Sequence, residues 1–329
     1  EPLVFGTAGR HIAFTPDDRW VATAGFEYPL AVWPLTTPFS RVLNGHEIGG
    51  LRFEFSADGS RLYSQGGSDG KVLSWDLDGG AGRKPTIVFE TPPQFGWGLA
   101  VDGRERFLIA SFLDGIRKVP LDGGEPQLID DFPTQGFQLS PSGRILAAWD
   151  RRGESGEVLL AHDLENGDTR ALDFPGDGRF AGWSFESDAH LLVVRGRVLY
   201  RWNLETGSVQ VLIAEAVDGC ARALDGRLLC FLNDSPIVLD LESGAQTPID
   251  LPDGDSQLGS GRADPIQLTK TDSNEIFVAP AGASDRHLLF CPGHMSWLKS
   301  SPDGRWIAAG VSDGTIRLWP MPDFSKPPL

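Results

Sequence analysis

The chain has 329 residues, among them 40 Gly, 24 Pro, ten Trp and nineteen Phe; 40% are apolar and the formal net charge is −16. That much apolar and aromatic material is enough for a large core and excludes a disordered or collagen-like chain. The 45 acids against 29 bases disfavour a nucleic-acid partner, and no run approaches the roughly 18–20 apolar residues of a membrane-spanning helix.

Taken in chain order, one cassette keeps returning: a strand, a tight turn and a second, apolar strand. It reads FTPDDRWVATAG at 14–25, FSADGSRLYSQG at 55–66, LAVDGRERFLIAS at 99–111, LSPSGRILAAW at 139–149, FESDAHLLVV at 185–194, ALDGRLLCFL at 223–232 and SSPDGRWIAAG at 300–310. The second turn residues fall at 18, 59, 103, 143, 189, 226 and 304, so the spacings are 41, 44, 40, 46, 37 and 78. The last spacing is close to twice 39, which predicts a degraded unit between 242 and 294.

Two further registers give the same count. Third strands end at VWPL (32–35), SWDL (74–77), KVPL (118–121), AHDL (161–164), RWNL (201–204), VLDL (238–241), IFVAP (276–280) and LWPM (318–321). Short outer strands read LVF, RVL, TIVF, PQLI, TRAL, VQVL, TPI and HLLF. Eight units of four strands give about 41 residues each, inside the period of about 40–45 of propeller blades, whereas seven would need about 47. The expected fold is therefore all-β, a propeller of eight four-stranded blades with seven as the alternative, occupying residues 1–329 as one domain.

The turns explain the pattern. In Ser-Pro-Asp-Gly (301–304) Pro presets φ, Asp hydrogen-bonds the following backbone, and Gly takes the positive φ of a tight reversal. The strands after the turns are continuously apolar, as expected where neighbouring sheets cover both faces. For closure, residues 2–5 are expected to pair beside Ile316 to Trp319 in the last blade; the alternative is a fourth strand beyond Leu329. The absence of an initial Met suggests a piece of a longer protein.

The unit at 45–77 resembles the WD-repeat family: Gly45-His46 opens it, Ser64 lies on its second strand, Asp69 on the next turn, and Trp75-Asp76 closes its third strand. The resemblance implies a structural hydrogen-bonded chain through His46, Ser64, Asp69 and Trp75. The last unit keeps Gly293-His294, Asp313 and Trp319, but Ala309 stands in the serine's place and Pro320 in the aspartate's, which implies a shorter network. The closing stretch DGTIRLWPMPDFSKPPL also resembles the end of bacterial propellers attached to serine/threonine protein kinases.

Catalytic motifs are weak. G-x-S-x-G occurs around Ser68 and Ser312, but both serines fall on strand-to-strand hairpins, whereas a nucleophile elbow needs a strand-to-helix turn. The six histidines have no metal spacing, and Asp250, Asp253 and Asp255 lack the closing glutamate of a calcium loop. No metal and no cofactor is expected. Cys220, Cys230 and Cys291 cannot all pair with one another, and the first two sit in apolar stretches, which favours a reducing, cytoplasmic setting. Trp97 and Trp183, like Phe53, stand five residues before a turn acid and are expected to be inner-strand core.

Two loops depart from the short turn: Phe26-Glu27-Tyr28-Pro29, and Asp150-Arg151-Arg152-Gly153-Glu154. They are the candidate recognition loops, as loops on a rigid frame commonly carry binding. The expected function is a non-catalytic, monomeric scaffold for a protein or peptide, which could be another domain of the same parent protein. The alternative is a propeller enzyme or small-ligand binder with a polar central channel, which would direct several His, Asp, Glu or Arg residues into one mouth of that channel.

Overall fold

The computed structural model describes residues 11–16, 20–24, 31–34, 40–47, 51–79, 84–132, 134, 136–153, 156–172, 178, 180–224, 227–233, 235–248, 255–259, 266–270, 275–280, 286–291 and 293–325. Among them every regular element is a β-strand, and the strands form eight antiparallel sheets. The first sheet (11–34) has three strands. The second to seventh sheets, at 52–90, 96–130, 137–172, 180–213, 217–248 and 255–290, each have four strands in chain order. The eighth combines Met295–Ser300, Trp306–Val311 and Thr315–Pro320 with the strand Arg41–Asn44.

The turns form as their residues require. Gly59 and Gly304 take φ of 69° and 73°. In the turn at 56–59 the Ser56 hydroxyl donates to Asp58 at 2.7 Å and accepts from the Arg61 backbone N–H at 2.9 Å, while Asp58 accepts from Ser60 N–H at 2.9 Å. The serine thus ties the start of the second strand to the end of the first. Ser301 repeats this by accepting from Trp306 N–H at 2.9 Å.

The second strands of the second, third, fourth, fifth and eighth sheets each feed two cores at once, because successive side chains point to opposite faces. In Phe107–Phe112, Leu108, Ala110 and Phe112 join Tyr63 and Val72 of the second sheet, whereas Phe107 and Ile109 join Leu146 and Ala148 of the fourth. This is the physical reason for the unbroken apolar runs. A fully buried Leu or Ile at such a position stabilises by about 1.5–3 kcal/mol.

The closing contact differs from the expectation in one respect. A strand from the N-terminal region does complete the last sheet, but it is Arg41–Asn44, paired as Ile316↔Leu43 and Leu318↔Arg41. Residues 2–5 lie outside the described residues. Leu43 is buried with Ile316 and Leu318 against Phe53, Leu62, Leu73 and Trp75 of the second sheet. Arg41 donates to the Leu77 carbonyl at 2.9 Å, Arg305 pairs with Asp78 at 2.7 Å, and Lys299 pairs with Glu54. The eighth sheet therefore packs directly on the second, with no sheet between them. The first sheet contributes to none of these cores among the described residues, and its strand His11–Phe14 is exposed throughout. The outer strand RVL, counted in the sequence with the first unit, belongs instead to the closing sheet.

Candidate functional site

The chain inferred for the unit at 45–77 is assembled. His46 Nδ1 lies 2.8 Å from Asp69 Oδ2, His46 Nε2 lies 2.7 Å from Ser64 Oγ, and Trp75 Nε1–H donates to the same Ser64 oxygen at 2.7 Å. All four residues are buried. One proton assignment satisfies every group: Nδ1–H donates to the carboxylate, Ser64 O–H donates to Nε2, and Trp75 N–H donates to Ser64. Burial alone would raise the Asp69 pKa; the bonds from His46 and from the backbone N–H groups of Lys71 and Glu47 outweigh it and hold the carboxyl below its ordinary 3.8.

A pH dependence follows. Because the folded-state pKa is depressed, the unfolded chain takes up the proton more readily in acid. The stability contributed by Asp69 is complete above pH ~4 and is lost as pH falls through the folded value. Asp69→Asn is expected to cost about 1–3 kcal/mol at pH 7 and to flatten the loss of stability between pH 5 and 3, measured by urea unfolding across pH.

The last sheet does not assemble the equivalent. His294 is exposed, and Asp313 is bonded to its own hairpin, accepting from Thr315 N–H at 2.9 Å and from the Thr315 hydroxyl at 2.6 Å. Trp319 is buried in the core between the seventh and eighth sheets. Ala309 occupies the register of Ser64, pairing with Leu298 as Ser64 pairs with Phe53. Without a hydroxyl there, nothing bridges an indole N–H to a histidine.

The loops that enter first strands, as the one carrying His46 does, lie at the same sheet ends as the turns from second to third strands. Phe95 and Leu113 flank the paired residues Gly96 and Phe112 of the third sheet and are 59% and 48% exposed. In the neighbouring fourth sheet, Arg151 and Arg152 lie in the strand Ile145–Gly153, which corrects the expected loop. The strand continues past Asp150 and pairs again at Gly153↔Gly156 after a register shift, so the insertion extends a hairpin. Thr134 joins the two sheets at this end, its N–H donating to Ser111 Oγ at 3.1 Å and its hydroxyl to the Trp149 carbonyl at 2.8 Å. Phe26, Glu27, Tyr28 and Glu154 lie outside the described residues.

At the axis, the first strands of the second, third, fourth, fifth and eighth sheets surround a cavity of about 320 Å³. Aromatic rings reach it by lying over glycines of the preceding sheet: a Cβ on Gly136 would stand 2.6 Å from Trp183, and one on Gly98 2.5 Å from Phe137. Trp97 and Trp183 are thus half-buried inner-strand residues, and Trp183 lines the cavity, whereas Phe53 is fully buried as expected. The Arg52 guanidinium lies 4.5 Å from the Trp297 ring centroid.

Residues 38–76 and 284–320 match the family model of the WD domain, G-beta repeat. Two segments of the chain are thus WD40 repeats. No curated relative matches its sequence. The β-propeller domain of Myceliophteria thermophila Cps50 (Swd1) superimposes with a TM-score of 0.64 at 15% identity, covering 86% of this chain and 100% of that one. A chain of the Mitotic Checkpoint Complex gives 0.62 at 16% identity, covering 92% and 99%. At these identities the likeness is one of fold: this chain is an all-β propeller.

Within the propeller, the other sequence motifs are placed plainly. Ser68 and Ser312 sit on hairpins between strands. Cys220 and Cys230 face one another on adjacent strands as free thiols, and burial pushes both, like Cys291, up to about 12. Asp250 and Asp253 lie outside the described residues. Sequence reasoning missed Phe95, Leu113 and Arg52; the alternation of Arg52 and Glu54 about a buried Phe53 was the available sign for the last of these.

Proposed function

We propose that this WD40 propeller is a non-catalytic scaffold, monomeric and cofactor-free, that captures a protein or peptide on its loop face. The observation that carries the reading is the exposure of Phe95 and Leu113 side by side at one sheet end, next to the extended hairpin bearing Arg151 and Arg152. Exposed large apolar side chains beside a hairpin whose sequence carries arginines have the composition of binding hot spots. That one structural neighbour is a chain of the Mitotic Checkpoint Complex, a protein assembly, agrees with it. The finer reading, a docking module of a multidomain bacterial kinase in the cytoplasm, rests on the resemblance of residues 313–329 and on three free cysteines.

The test is capture from host lysate and by the parent protein's other domains, comparing wild type with Phe95→Asp/Leu113→Asp and with Arg151→Ala/Arg152→Ala. Each double variant is expected to keep its unfolding free energy to within about 0.5 kcal/mol. The apolar pair is expected to weaken capture by about thirtyfold, the equivalent of ~2 kcal/mol. Undiminished capture by both variants would remove the loop face as the binding surface.

A further inference from the structure

The axial cavity has a charge balance that the scaffold reading does not use. Among the described residues three charged side chains line it: Arg52, Glu54 and Lys299. Lys299 is paired with Glu54, so those two charges cancel. Arg52 is half-buried and lies over the face of Trp297, and among the described residues no carboxylate reaches it. Burial alone acts on it, pushing its pKa down. Among the described residues one positive charge is therefore left uncompensated at this cavity, in a chain whose net charge is −16.

The geometry limits what can supply the missing charge. A guanidinium lying on an indole keeps its N–H edge available, and that planar fork matches the two oxygens of a carboxylate. The walls are Phe137, Trp183 and Trp297, and the Nε1–H groups of Trp183 and Trp297 are buried without a hydrogen-bond partner. Gln138 directs one amide N–H to the Trp183 carbonyl at 2.9 Å. One unpaired cation suits one negative charge; a phosphate or polyanion would bring in charge that nothing balances. About 320 Å³ is at the small end of ligand pockets, the size of a small molecule or of one terminal residue.

We propose that the axial cavity recognises a single carboxylate carrying an apolar group, with Arg52 as anchor and Phe137, Trp183 and Trp297 as walls. A free small acid and the C-terminal residue of a peptide share this chemistry. The site is independent of the loop face, so Phe95→Asp/Leu113→Asp leaves it intact.

Calorimetric titration of the whole chain with 3-phenylpropionate, with its amide, and with a peptide ending in Phe as free acid or as amide tests the proposal. Saturable binding of an acid is expected, with the matching amide at least about tenfold weaker, ~1.4 kcal/mol. Binding of the small acid identifies a free-acid site; binding of the peptide acid alone identifies a protein C-terminus. Arg52→Gln is expected to lose the preference for the acid and Arg52→Lys to retain part of it. If Arg52→Gln does not fold, the acid-against-amide comparison in the wild type still decides. Equal binding of acid and amide, no saturable binding of either acid, or tighter binding of phenyl phosphate overturns the proposal.

Discussion

Trp75→Ala is expected to lower the unfolding free energy by about 3–5 kcal/mol, the range for removing a large aromatic from a packed core. Two losses combine. The ring is 3% exposed and packs among Leu43, Leu62, Leu73 and Leu318, joining the second sheet to the eighth, so truncation opens a cavity at the closing contact. Its N–H also holds Ser64, which in turn holds His46, so the change leaves the buried serine short of a donor. Trp75→Phe separates the two, since it keeps most of the volume and gives up only the hydrogen bond, with an expected cost of about 1–3 kcal/mol. Guanidinium unfolding monitored by circular dichroism reads both. An unchanged midpoint for Trp75→Ala would contradict the packing described for this sheet.

Leu43→Asp is expected to cost as much, about 3–5 kcal/mol, because it places an unpaired charge in an apolar closing core. Leu43 is buried opposite Ile316 in a cluster of apolar side chains. If the ring is held shut by the strand Arg41–Asn44, the substitution loosens the eighth sheet from the second and broadens the unfolding transition. Leu128→Asp is the control: it also changes an outer-strand leucine, but one that is 55% exposed, and its effect is expected within about 0.5 kcal/mol. Equal effects of the two substitutions would mean that the closure lies elsewhere.

The two predictions bear on different levels of legibility. His46, Ser64, Asp69 and Trp75 could be assigned from the sequence because each sits at a fixed place relative to its turn, and the bonds among them are local to one sheet and the loop that enters it. The corresponding set in the last unit could not be trusted to follow, since the missing serine at Ala309 removes the one group that bridges the other two. Arg151 and Arg152 were legible as an insertion, but whether an insertion is a loop or a longer hairpin depends on pairing across Gly153 and Gly156.

By itself, the sequence determined the all-β class, the repeat period and the turn chemistry, because period, alternation and turn residues act over a few neighbours. Tertiary structure alone decided which strand closes the ring. LVF and RVL are both short apolar strands, and the choice rests on Leu43 and Arg41 reaching across to residues more than thirty positions away. The same holds for Arg52, whose aromatic partner Trp297 comes from the opposite end of the chain. Local rules fix which residues form strands, while long-range packing fixes which strands and charges meet.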